Sequence, residues 1–426
     1  MSLPLREAAW LERRSAWDQD PELLTGVAAL ITDVRARGDA ALREQAERFD
    51  KVALDALILD PLPDWRPHVT PEVVAALQTA HDRLLAFHQK QPLISWTTEA
   101  LGGILGQRVT ALKRVGCYVP GGTAPLISTV LHTVVPARAA GVDEIVIVTP
   151  PNPDFPQTGY VHPAILAAAE IAGANEVWRI GGAGAIAALA YGTDTLQRVD
   201  KLAGPGSIWV TVAKKLVFGD VGVDGLPGPT ETIVIADDEA RPEWVAADLL
   251  AQAEHDVLAS AILLTPSAAL ASAVQEAVDE LLTALPRADI VAQTFARGSG
   301  IVLVRDLDEA CVLADRYAPE HLCLAVRDPW AWAPKIQHAG GLFLGEHSFE
   351  VLGDYIAGPS HVMPTGGTAR FMSPLSAVDF VRITSIVALD PATTSTIAPQ
   401  AALLADAEGL GAHALSARFR VNGGAG

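Results

Sequence analysis

The sequence predicts an α/β fold: two Rossmann-like parallel-sheet domains, one inserted in the other, with helical N- and C-terminal segments. Three observations carry this reading. From Val115 onward, short apolar runs alternate with stretches of helical periodicity, as repeated βα units do when a parallel sheet is covered on both faces. The series halts at Pro227-Gly228-Pro229, and a second of the same kind begins, so the chain carries two sheets. Half of the 426 residues are hydrophobic, and 35 Gly with 29 Pro supply turns for many short elements.

Taken in order, residues 1–45 read as helix. Pro21-Glu22 opens a stretch in which Leu23, Val27, Leu30, Ile31 and Val34 recur at helical spacing up to Arg37-Gly38. A second helix starts at Asp39 and a third spans 71–89; extended chain follows through 105–112. Residues 116–125 read as a Gly/Pro-rich loop. The first series sets helices at 129–140, 163–172, 183–191 and 207–218 against strands at 144–149, 176–180 and 200–203. The second sets strands at 232–236, 260–265, 301–304, 322–326 and 342–344 against helices at 242–255, 267–285, 307–317 and 330–339. After Asp379 the chain reads as a helical piece. The resulting borders are 1–20 for an N-terminal helical segment, 21–118 with 232–378 for one α/β domain, 119–231 for the inserted one, and 379–426 for the C-terminal segment.

A formal charge of −19 and a pI near 4.9 exclude nucleic acid and anionic membrane as expected partners, since both demand a basic footprint. No run of about 18 apolar residues and no secretory pattern is present. Cys117, Cys311 and Cys323 cannot all pair and lack CxxC spacing, so a reducing, cytoplasmic location is expected. Cys117, in the Gly-rich stretch, has no neighbour that would activate it as a nucleophile.

The chemistry-bearing residues fall in the second half. Gln252 and His255 stand three apart at the end of a helical pattern, a spacing that puts both on one face. With Asp354, His361 and His413 they form a dispersed oxygen and nitrogen donor set suited to a divalent metal. Glu320-His321 lies between a helix and a strand, and an imidazole beside a carboxylate is a serviceable general base. Three glycine-rich turns, at Gly121-Gly122, at Gly181-Gly182-Ala183-Gly184 and at Gly204-Pro205-Gly206, sit where parallel sheets bind nucleotides, yet none is a full fingerprint. His132, flanked by apolar residues, reads as a packed helix residue.

Six ordered segments bring a family into view: 115–122 (Val-Gly-Cys-Tyr-Val-Pro-Gly-Gly), Gly204-Pro205-Gly206, Gly228-Pro229-Thr230-Glu231, Gln252-Ala253-Glu254-His255, Ala318-Pro319-Glu320-His321-Leu322, and Glu408-Gly409-Leu410-Gly411-Ala412-His413. The chain closely resembles the histidinol dehydrogenases along essentially its whole length. The resemblance implies oxidation of L-histidinol to L-histidine through the aldehyde with two NAD, the last step of histidine synthesis. It implies one Zn2+ held by Gln252, His255, Asp354 and His413, with Glu320 and His321 as the acid/base pair. Thr230 would contact substrate, and His361 and Glu408 would recognise its ammonium end; Gln252, His255, His321, Asp354 and His413 would line the same substrate site. Tyr118, Gly184 and Ser207 fall at cofactor-binding positions. A homodimer is implied in which His413 and Glu408 serve the partner's site. Two positions depart from the family pattern: Gly184 replaces a Gln and Ser207 an Asn. Two lost hydrogen bonds of ordinary strength would weaken NAD binding by roughly ten- to a hundredfold. Two alternatives therefore stand beside the main reading: a copy that binds NAD weakly or not at all, and a related dehydrogenase of another alcohol.

Overall fold

The computed structural model describes residues 3–11, 21–121 and 125–421. The chain divides into two compact units, one of residues 1–91 with 112–380 and one of 92–111 with 381–426. The mixed α/β fold with parallel sheets is as expected.

The first unit holds two fully parallel sheets. One has five strands. Its centre is Arg114–Tyr118, which is followed outward on one side by Glu144–Thr149 and Glu176–Arg179, and on the other by Lys201–Ala203 and Gly222–Val223. All five residues of the central strand are buried, which explains its unbroken apolar reading. The 116–125 loop of the sequence reading is thus corrected, because Gly116, Cys117 and Tyr118 are strand. A Cβ at Gly116 would strike Leu189, so glycine lets the helix Gly182–Tyr191 pack close to the sheet. Gly122 lies outside the described residues.

The other sheet has six strands, with Glu231–Ala236 and His321–Ala325 as central neighbours. Ser260–Thr265, Gly300–Leu303 and Leu5–Arg6 extend it on one side and Gly341–Leu344 on the other. Leu5–Arg6 corrects the helical reading of 1–45 at its start, for two residues are too few to show a period of two; residues 12–20 lie outside the described residues. The helix Ala288–Arg297 also escaped the sequence reading, which ran the preceding helix past its end at Leu282.

The second unit contains the antiparallel sheet of Trp96–Thr98, Ile104–Ala111 and Val381–Ala388, and the helices Pro391–Ala407 and Gly411–Val421. Val381–Ala388 is therefore a strand within a segment expected to be helical. No helix among the described residues is long and apolar enough to cross a membrane.

Candidate active site

The polar centre of the first unit forms at the starts of two neighbouring strands. Parallel pairing sets His321 opposite Thr232 and Gly341. The helix Pro242–Ala253 runs back across the sheet, so its last turn returns Gln252 to the same edge. This is the amino edge of the sheet, whereas open parallel sheets usually bind ligands at their carboxyl edge. The Gln252/His255 reading also needs adjustment: the helix ends at Ala253, and His255 stands in the following turn, its N–H donating to the Gln252 carbonyl at 3.4 Å.

Glu320 and His321 are both buried. The Glu320 carboxylate accepts from the Thr230 hydroxyl at 2.6 Å and from the Glu231 N–H at 3.1 Å. Burial raises its pKa, and the hydrogen bonds and the nearby His321 ring only partly offset that. His321 lies between carboxylates, Nδ1 3.8 Å from Glu320 and Nε2 3.6 Å from Asp354, and neither ring nitrogen has a hydrogen-bond partner. Burial lowers its basicity, but Glu350, Glu320 and Asp354 together push the pKa up to about 10. For Asp354, burial works upward and is outweighed by His321, His361 and His255, which hold the carboxyl below its ordinary range. One carboxylate thus acts on three imidazoles.

Glu350 was not among the expected residues, although it lies one helical turn before Asp354. It is 1% exposed, accepts from the Thr232 hydroxyl, and burial pushes its pKa up to about 8. Between Glu350 and Thr230 lies the fully buried amide of Gln252. The amide nitrogen donates to Glu350 at 2.5 Å while the amide oxygen accepts from the Glu231 N–H at 3.0 Å, the orientation in which neither end of the amide faces its own kind. Sequence periodicity assigns Glu350 to a helix start and gives no signal of this burial. Asp248, one turn ahead of Gln252, is likewise pushed up to about 7 by burial and by Glu346.

His361 stacks on His132 at 4.1 Å between ring centroids. Its Nδ1–H donates to the Asp354 carbonyl at 2.8 Å, which leaves Nε2 to accept from the Thr129 hydroxyl at 3.2 Å. His132 is fully buried and accepts from the His361 N–H, in keeping with a packing role. Glu408 and His413 belong to the second unit and are exposed on it. Among the described residues, no three His, Cys, Asp or Glu side chains stand together in a metal-holding arrangement.

The second place of interest is the carboxyl edge of the five-stranded sheet, on either side of its first strand, where the chain order reverses. Tyr118 ends that strand, and its hydroxyl accepts from the Gly182 N–H at 3.2 Å. Gly184 is buried in the first turn of the helix Gly182–Tyr191, and Ser207 caps the helix Ile208–Val217. The buried Lys214 ammonium pairs with Asp224 and donates to the Gly204 carbonyl at 2.9 Å, while the Gly204 N–H donates to Asp224 at 2.7 Å. That clamp fixes the Gly204-Pro205-Gly206 turn. Cys117 is buried and its thiol is pushed up to about 12, the opposite of activation.

A model of the histidinol dehydrogenase family matches residues 12–421. The chain belongs to the histidinol dehydrogenase family. It is an oxidoreductase of that class. The histidinol dehydrogenase of Deinococcus radiodurans is 51% identical over 400 residues, covering 93% of this chain and 90% of its own. That of Moorella thermoacetica is 48% identical over 427 residues, covering 98% and 99%. The crystal structure of histidinol dehydrogenase from Elizabethkingia anophelis superposes with a TM-score of 0.92 at 33% identity, covering 99% of this chain and 98% of that one.

Proposed function

We propose that the chain oxidises L-histidinol through L-histidinal to L-histidine with two NAD, the last step of histidine biosynthesis. Gln252, His255 and Asp354, joined by His413 of a partner protomer, would hold one zinc ion. The observation that carries the reading is His321, buried with two unpartnered nitrogens between Glu320 and Asp354, next to Gln252. The donor chemistry suits zinc, since two imidazoles, a carboxylate and an amide oxygen are its common nitrogen and oxygen ligands or close kin. When bound, the cation would seat the substrate's imidazole and amine and fix the alcohol carbon.

His321 removes the hydroxyl proton, and Glu320 and Asp354 stabilise the imidazolium that results. With a cation held at Asp354, that carboxylate's hold on His321 would weaken and the ring would come toward the range in which it accepts a proton. NAD held on segment 119–231 against Tyr118, Gly184 and Ser207 would supply the hydride acceptor, because no side chain takes a hydride up. In the second half-reaction Glu320, made more basic by burial, accepts the proton of the water that adds to the aldehyde. Thr230 orients Glu320 and faces substrate, while segments 21–118 and 232–378 carry the substrate side. His361 and the partner's Glu408 meet the ammonium end, which requires His361 to release Thr129. The protein works as a cytoplasmic homodimer.

Gly184 favours a second reading, a copy with little affinity for NAD, because no side chain at that position can donate. Zinc-loaded protein mixed with L-histidinol and NAD tests both. NADH formation is expected, and its absence with measurable zinc would sink the main reading. Activity on an anionic diol in preference to L-histidinol would point to another alcohol.

A further inference from the structure

The carboxyl edge of the five-stranded sheet opens into a cavity of about 350 Å³, whose lining includes Gln45, Phe49, Asp50, Gly182, Ser207 and Trp209. This lies at the small end of ligand pockets and is less than a whole dinucleotide needs, so it suits one nucleoside half. Two helices of 10 residues begin at this cavity, after Gly181 and after Ser207. Neither has a side-chain cap or an acidic residue in its first turn; the Gly182 N–H is taken by the Tyr118 hydroxyl, and the N–H groups that follow it and those that follow Ser207 remain available to an anion. Trp209 and Phe49 are exposed beside the opening and offer flat faces to a heterocycle.

Gln45 ends the helix Asp39–Gln45, and its amide oxygen fills the very volume a Cβ on Gly184 would need. The two positions are therefore exclusive: a side chain at 184 and the present position of Gln45 cannot coexist. The Gln45 Nε2 is buried and makes no hydrogen bond. Asp33, held below its ordinary value first by Arg37, is drawn down further by this amide, which stays outside hydrogen-bond distance of it. A buried donor without a hydrogen-bonded acceptor, at the wall of a mostly apolar cavity whose other polar groups are helix N–H groups, Ser207 and the Asp50 carboxyl, is a place for a ligand oxygen.

Resting on the NAD reading above, we infer that Gln45 is a cofactor-binding residue of this chain: from a different helix it supplies the side-chain donor that Gly184 lacks, and the nucleoside-phosphate half of NAD docks in this cavity. The test is titration of NAD by calorimetry, together with KM for NAD and for L-histidinol, in the zinc-loaded protein and in Gln45→Ala and Gln45→Glu. Alanine is expected to weaken NAD binding between about twofold and tenfold. Glutamate, of the same size but anionic and without the donor, should weaken it further. The histidinol KM, kcat and zinc content should stay as they are. The double change Gln45→Ala with Gly184→Gln should recover NAD affinity, since the space that Gln45 vacates admits a donor at 184. Unchanged NAD affinity in both single variants would overturn the inference while leaving the NAD reading intact. An unsubstituted protein that neither binds nor reduces NAD would remove both.

Discussion

His321 illustrates how burial and charge act together on one ring. Glu350, Glu320 and Asp354 together hold this imidazole in its protonated form, and the proposed metal at Asp354 would couple metal and base through that carboxylate. The roles separate by substitution. Gln252→Ala and His255→Ala should lose most bound zinc and turnover together. His321→Ala should keep its zinc and lose about 10²–10⁴-fold in kcat, the usual loss for a general base. Metal analysis alongside kcat decides, and a zinc-free His321→Ala protein would reassign that ring as a ligand. Thr232 offers a second handle, since its hydroxyl donates to the buried Glu350. Thr232→Val should cost about 1–3 kcal/mol through the carboxylate left short of a partner. Urea unfolding measures it, and a midpoint equal to that of the parent would contradict the account.

Among the elements, the turn after the strand Lys201–Ala203 is held by a buried ion pair rather than by its glycines alone. Lys214→Met would leave Asp224 buried and uncompensated, and about 3–5 kcal/mol of destabilisation is expected. Lys214→Met combined with Asp224→Asn should recover part of it; a double variant no more stable than the single one would argue against pairing as the cause. Most helices and strands were legible because their period was long enough to count. The helix Pro163–Ala172 and the strands Glu144–Thr149 and Ser260–Thr265 fall where the apolar pattern puts them. Leu5–Arg6 and Val381–Ala388 were not, for one is too short and the other pairs across some 270 positions with Ile104–Ala111. Gln252 and His255 were legible as a pair, although the helix stops between them.

For the molecule as a whole, pH enters through buried imidazoles. Burial is the first cause holding both His88 and His132 below the ordinary histidine value. Such a ring binds its proton more readily in the unfolded chain, so what these two rings contribute to stability is full above about pH 6.5 and is lost as the pH drops below it, while groups with raised values such as His321 act in the opposite sense. Urea midpoints at pH 7.5 and pH 5 should differ, and by less in His88→Asn with His132→Asn; an equal drop would assign the acid sensitivity elsewhere. The proposed sharing of the site between two protomers also makes a prediction about assembly. His255→Ala and His413→Ala, each inactive alone, should recover about a quarter of parental activity after unfolding and refolding together, because mixed dimers retain one whole site. No recovery in a mixture shown to contain mixed dimers would mean that both residues serve the same chain's site.

Local pattern was enough for the class of fold, the two series of βα units and the family, since each of these is written in spacing or in contiguous motifs. Burial and encounter were not, because they depend on which distant segments pack together. The carboxylate of Glu350 under His321, the amide of Gln45 over Gly184, and the gathering of the polar centre at the amino edge of its sheet all arise from pairs far apart in the chain. Their free energies come from removing charge and hydrogen-bonding groups from water, and no local stretch of residues records that.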